Sequence, residues 1–289
     1  MVTRSPAALA YSALFLLCLL AQGIPGAFCR GSNRRMAQEP ALAPEEPPYF
    51  ELSCNFSGPF PYTASLRDEN GTYRCGAVLI EKNAVLTAAS CVDSARHGAR
   101  DVSEVFLGGF DREVPIERIN MKAVFIHPDY TGNPMDGADL AVVKLAEETC
   151  LSPIPFIGRQ TDRDENYLIL GFGRTGPLDP LSGALQGANA TNLELVTCND
   201  ALDSDQLLGE EKICTQTPQC SCASICEGDE GGPLVYRETL FEFKDTLMGI
   251  MSYSTRSCEE KGGFGVHTDA QLFKNWIERT VQSQAFEDC

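Results

Sequence analysis

Cys226-Glu227-Gly228-Asp229-Glu230-Gly231-Gly232-Pro233-Leu234 is the stretch on which the reading of this chain turns. Two upstream stretches give it meaning. The first is Cys75-Gly76-Ala77-Val78-Leu79-Ile80, followed by Leu86-Thr87-Ala88-Ala89-Ser90-Cys91. The second is Asp139-Leu140-Ala141-Val142-Val143-Lys144-Leu145. Around them the chain reads as short strands and turns. Gly76–Ile80, the polar Glu81-Lys82-Asn83 and Ala84–Thr87 form a hairpin pattern. Phe60–Leu66 is β-prone between Gly and Pro, and Tyr167–Leu170 and Leu247–Met251 read as buried strands. Such a series predicts a barrel or sandwich. One helix is expected at the end, capped by Asp269, with Leu272, Phe273, Trp276, Ile277 and Val281 recurring on the face that packs.

In order and spacing the three stretches resemble the trypsin/chymotrypsin-like serine proteases, whose patterns run LTAAHC, DIALLKL and GDSGGP. Phe60-Pro61-Tyr62, Gly171-Phe172-Gly173 and Gly265-Val266-His267-Thr268 add three more matches in register. The resemblance covers roughly Tyr49 to Gln282. It implies an all-β fold, a double six-stranded antiparallel β-barrel with a C-terminal α-helix.

The family's chemistry needs a Ser nucleophile, a His that takes its proton and a buried Asp that orients the His. Asp139 stands at the Asp position, but Ser90 stands where the resemblance implies His, and Glu230 where it implies Ser. A serine hydroxyl is no base near neutral pH, and a glutamate makes no useful acyl intermediate here. The degenerate triad Ser90, Asp139 and Glu230 is therefore expected to be inactive. The histidines His97, His127 and His267 read as structural or exposed rather than as replacements, and no pair has metal-ligand spacing. No metal or other cofactor is expected. Gly228 falls at the oxyanion-hole position. Glu230 beside it has two readings, a carboxylate accepting the backbone N–H groups near Gly228 or, the plainer of the two, one pointing to solvent.

The resemblance carries further positions. Ser224 matches the floor of the specificity pocket, and Ser252, Tyr253, Ser254 and Gly265 match its walls and the strand that pairs with substrate. Family members gain a new N-terminus that pairs with the Asp preceding the catalytic Ser. Here the aligned Tyr49-Phe50-Glu51-Leu52 follows no basic residue. Asp229 is thus expected to lack that partner, its loop being zymogen-like or held by another donor. The bridges implied are Cys75–Cys91, Cys198–Cys214 and Cys226–Cys258. Cys150 resembles a cysteine that tethers an N-terminal segment, with Cys29 or Cys54 as partner, while Cys220, Cys222 and Cys289 stay unassigned.

Bulk properties set the compartment. Arg4 and the apolar run Ala7–Ala21 read as a signal peptide over 1–23, with cleavage as late as 27. A Pro/Glu-rich leader or linker follows over 24–48, with Arg34-Arg35 as a candidate processing site, then the protease-like domain over 49–289. Of thirteen cysteines, Cys18 leaves with the signal, so twelve remain for a disulfide framework. Asn55, Asn70 and Asn189 begin glycosylation sequons. A formal charge of −17 argues against nucleic-acid partners and acidic membranes. No membrane association is expected once the signal is gone.

Three functions fit. The first is a secreted, catalytically inactive homologue acting by protein binding, as decoy, adaptor, regulator or inhibitor; replaced-triad homologues of this family bind hydrolases and protease-cascade members among other proteins. The second is a serine-type endopeptidase with residual or altered hydrolysis. The third is a structural secreted protein with no specific partner.

Overall fold

The computed structural model describes residues 60–94, 102–156, 166–176, 178–201, 207–217, 225–238, 244–254 and 264–283. The signal, the leader, Tyr49–Leu52, Asn55, His97, Ser224 and cysteines 29, 54, 220, 222, 258 and 289 lie outside them. Six strands close a first barrel: β1 (Thr63–Asp68), β2 (Tyr73–Glu81), β3 (Ala84–Thr87), β4 (Val102–Leu107), β5 (Glu117–Ile126) and β6 (Ala141–Leu145), in the spatial order β1-β2-β3-β6-β5-β4. Six more close a second: β7 (Asn166–Gly171), β8 (Gln186–Leu193), β9 (Lys212–Gln216), β10 (Pro233–Glu238), β11 (Lys244–Ser254) and β12 (Phe264–Asp269), in the order β10-β11-β12-β9-β8-β7. All neighbours run antiparallel, so the double barrel implied by the motifs is the observed fold. Helices α1 (Ala89–Val92), α2 (Leu195–Ala201) and α3 (Lys274–Gln282) complete it.

The hairpin legible in the sequence forms between β2 and β3, with Val78 opposite Leu86 and Leu79 opposite Val85. Lys82 and Asn83 make its turn, which keeps the polar residues at the rim while both strands are buried. β6 is buried along its whole length because α3 covers its outer side, where Lys144 Nζ donates to the Val281 carbonyl. Side chains of the first barrel (Leu79, Leu86, Val142, Leu140) share one apolar cluster with Val235, Leu247 and Ile250 of the second. The two barrels therefore meet through core rather than through a wet interface. Cys75–Cys91 and Cys198–Cys214 are formed as expected, each spanning 16 positions, a loop length for which a bridge contributes about 3 kcal/mol. Cys150 and Cys226 are also disulfide-bonded.

The C-terminal helix departs from expectation at its start. Asp269 does not cap it; its Oδ1 accepts the Gln271 N–H in the turn that precedes, and α3 begins only at Lys274. Leu272, read as part of the packing face, is 60% exposed as a result, whereas Ile277 is buried and Phe273, Trp276 and Val281 pack against the core.

Two glycines test how tightly the fold is held. Gly231 has φ +80°, and a Cβ there would run into the Gly76 carbonyl oxygen and Thr87 Oγ1. Gly71 has φ +75° with nothing within 4 Å. Gly71→Ala is expected to cost only about 1 kcal/mol, the penalty of a left-handed backbone. Gly231→Ala adds a backbone collision and is expected to cost upwards of about 3 kcal/mol. Secretion yield and the thermal unfolding midpoint of the two variants measure the difference.

Candidate functional site

Three segments converge where the barrels face each other: α1 with Ser90, the residues entering β6 with Asp139, and the loop 225–232 entering β10 with Gly228, Asp229 and Glu230. Backbone bonds fix the last of these. Gly76 N–H of β2 donates to the Glu230 carbonyl at 2.8 Å, Gly231 N–H to that of Met251 at 2.8 Å, and Gly232 N–H to that of Asp229 at 3.0 Å. Tyr73 Oη, buried beside Phe172, donates to the Gly228 carbonyl at 2.7 Å. A loop tied to both barrels holds its side chains in place.

Asp139 has no exposed surface. Its Oδ1 accepts the Ser90 N–H at 2.7 Å, and its Oδ2 lies 3.0 Å from Ser90 Oγ and 2.6 Å from Ser252 Oγ. Its own carbonyl accepts from Thr268 Oγ1 at 3.1 Å. The structure thus brings together Ser90 and Asp139, the positions that the resemblance pairs. Ser252, at a position the resemblance assigns to the pocket, turns its hydroxyl inward to the carboxylate and the Pro134 carbonyl, because a buried charge needs every donor within reach. This array holds a buried carboxylate with neutral donors, one backbone N–H and two hydroxyls. The two described histidines lie elsewhere. His127 accepts the Asp129 N–H on Nδ1 at 3.1 Å and packs edge-on against Phe273 and Trp276. His267 is wholly buried, with Nε2 2.9 Å from Thr215 Oγ1, and burial pushes its pKa down to about 3.

Glu230 does not point to solvent. Its Oε2 accepts the Gly228 N–H at 2.7 Å, and its carboxylate also takes its own backbone N–H. The plainer reading of the sequence is corrected here: at a half-buried position, two oriented backbone donors offer a carboxylate more than partial hydration does. Burial raises its pKa above the ordinary carboxylate range; the two N–H groups oppose that shift, and the nearby Glu227 and Asp139 charges add to it.

Asp229 is buried as well. Its Oδ1 accepts the Gly173 N–H at 2.9 Å and its Oδ2 the Cys226 N–H at 3.0 Å. Another donor set does hold this loop, made of two backbone amides. Gly173 is required for it, since a Cβ there would lie 2.5 Å from the Asp229 carboxylate. Burial pushes the Asp229 pKa up to about 7, against the two amide bonds and with the help of the Glu230 charge.

At Gly265 a Cβ would collide with Ile225 Cδ1 and come within 3.0 Å of His267 Nε2. Ile225, 2% exposed and packed with Ile213 and Met251, was not singled out by the sequence reading; its bulk beside Cys226 is the signal available there. Tyr253 and Ser254 are half-buried at the end of β11. Lys212 and Thr268, which stand behind Asp139, were also missed, because nothing local in a strand sequence says which distant carboxylate it faces.

Comparison with known proteins places the chain in a family and a fold. The sequence model of the family described as Trypsin matches residues 55–277. The chain is 29% identical over 238 residues to the atrial natriuretic peptide-converting enzymes of Mus musculus and of Homo sapiens, covering 79% of this chain and 21% and 22% of theirs. It therefore spans about a fifth of the length of the curated relatives it matches. Among solved structures, neuropsin, a serine protease expressed in the limbic system of mouse brain, superposes with a TM-score of 0.65 at 24% identity, covering 78% of this chain and 96% of that one. That likeness speaks to the fold.

With its pKa raised to about 7, Asp229 keeps a proton in the folded domain that the unfolded chain, near 3.8, has already released. Folding stability from this site therefore falls as pH rises through that window. Asp229→Asn removes the titration. The difference in unfolding free energy between variant and wild type is expected to move in the variant's favour from about pH 4.5 to about pH 7.5. Denaturant melts at a series of pH values read it; a difference independent of pH would mean that Asp229 ionises as an ordinary carboxylate.

Proposed function

The chain belongs to the trypsin family, and on that basis we propose that it is a secreted, catalytically inactive serine protease homologue that works by binding other proteins. One observation carries the proposal. The residue at the nucleophile position, Glu230, places its carboxylate on the Gly228 N–H and on its own, the donors that a peptidase of this fold keeps free for a developing oxyanion. The site is filled from within, by a charge of the sign those donors exist to stabilise. The companion loss is the base. At the position of the histidine, Ser90 hydrogen-bonds Asp139 with both its N–H and its hydroxyl, and a hydroxyl is no base near neutral pH.

What remains suits recognition rather than turnover. Loop 225–232 is pinned by backbone bonds to both barrels, and a rigid loop loses little entropy when a partner docks. Secretion is supported by the apolar leader, by the paired cysteines and by the exposure of Asn70 and Asn189, which leaves both sequons open to glycosylation. Among the described residues no helix is long and apolar enough to cross a membrane. The partner class is an extracellular protein, with hydrolases and members of protease cascades as the first to try. Acidity favours a partner that presents cationic surface.

The test is a reversion. Secreted wild type and a Ser90→His/Glu230→Ser double variant are offered a mixed peptide library. Wild type is expected to be silent and the double variant to cleave, since loss of one triad member alone removes roughly four to six orders of magnitude in rate. Cleavage by wild type in proportion to its own concentration, with contaminating proteases excluded, would overturn the proposal. The binding half is tested by recovering a saturable partner from the fluid into which the chain is secreted; without one, the chain is a structural secreted protein.

A further inference from the structure

Behind the degenerate site lies a second charge that the family pattern does not call for. Lys212, the first residue of β9, is 3% exposed, and its Nζ donates to the Pro134 carbonyl at 2.8 Å and to Thr268 Oγ1 at 3.3 Å. Both acceptors belong to the surroundings of Asp139. Thr268 Oγ1 donates in turn to the Asp139 carbonyl, and the Pro134 carbonyl lies 2.9 Å from Ser252 Oγ, the hydroxyl that also reaches Asp139 Oδ2 at 2.6 Å. A buried carboxylate is tolerated when a positive charge stands near it, and the imidazolium that this geometry would otherwise offer is absent, since Ser90 is neutral.

We propose that Lys212 is the counter-cation of Asp139, a positioning residue that keeps the hydrogen-bond array around the carboxylate fixed in a site that has lost its histidine. The inference rests on the non-catalytic reading above. Lys212 does not touch the carboxylate; it acts across one shell, in two ways. Burial lowers the Lys212 pKa below the ordinary lysine value, and attraction to Asp139, ahead of that to Glu211 and Asp136, is the first influence opposing the shift. Its hydrogen bonds to the Pro134 carbonyl and to Thr268 Oγ1 hold in place two groups that themselves touch Ser252 Oγ and the Asp139 carbonyl. Without Lys212, Asp139 would keep only neutral donors.

The experiment is a double-mutant cycle on the full secreted chain, with Lys212→Met, Asp139→Asn and the pair, followed by denaturant melts at one neutral pH. Methionine keeps the length and apolar stem of the lysine. In the wild-type background Lys212→Met is expected to lower the folded-to-unfolded ratio by tenfold or more. In the Asp139→Asn background it should lower the ratio far less. Glu211 and Asp136 also face the lysine, and Glu211→Gln and Asp136→Asn serve as controls that should leave most of the deficit in place. A deficit equal in both backgrounds would show that Lys212 only packs, and would overturn the proposal. So would a deficit abolished by Glu211→Gln or Asp136→Asn instead of Asp139→Asn. Should Lys212→Met fail to accumulate, the amount of folded double variant secreted decides the same question: rescue by Asp139→Asn supports the pairing, and a double variant no better than the single one overturns it. None of these readouts depends on peptide cleavage, so failure here is distinct from failure of the non-catalytic reading.

Discussion

A carboxylate with no access to water has to be satisfied from all sides, and Asp139 imposes that requirement on the junction of the two barrels. It belongs to the first barrel, at the entry to β6, yet Ser252, which bonds the carboxylate, and Thr268, which bonds the Asp139 carbonyl, come from β11 and β12 of the second. Ser90 supplies the remaining donors from α1. The arrangement follows from burial alone and needs no chemistry at the site. Removing any one donor would leave a buried charge underbonded, whatever chemistry the site performs.

The loop before β10 follows the same rule with two more carboxylates. Asp229 is met by the amides of Gly173 and Cys226, and Glu230 by those of Gly228 and Glu230 itself. Burial raises the pKa values of both above the ordinary range, and the repulsion among acidic groups gathered in one small region adds to it. Backbone amides, which carry no net charge and cannot titrate away, are what hold them. A serine hydroxyl at position 230 would be too short to lie on its neighbours' amides; a glutamate has the length. Length and charge together turn a donor array for substrate into one occupied by the chain itself.

Much of this was legible from residues alone. The strands around Gly76–Thr87, Tyr167–Leu170 and Leu247–Met251 are short, apolar and bounded by turns, and they formed as read, because burial on a closed barrel selects for that pattern whatever lies next door. Ser90, Asp139 and Glu230 were found because each sits inside a stretch whose other residues match the family pattern. Around Glu230 tight packing explains why those neighbours are fixed: a Cβ on Gly76 would meet Gly232, and one on Gly231 the Gly76 carbonyl oxygen. The helix start was misread at Asp269 and Leu272, since a capping residue is a local signal and the β12 pairing that competes for Asp269 is not local.

The family pattern, the double barrel and the two missing members of the triad could be read from residue identity, since substitution of one residue type for another is visible in one dimension. Where the new side chains went was a matter for the folded chain. Whether Glu230 faces water or the Gly228 amide depends on a loop held by Gly76, Met251 and Tyr73, from two different strands. That Ser252 turns to Asp139, that Ile225 covers Gly265 and that Lys212 lies behind the site depend on closure of the second barrel against the first. Hydrogen bonds and charge act through space over a few ångströms, while these partners are separated by tens to more than a hundred residues along the chain; that is why the chemistry of the site had to wait for the fold.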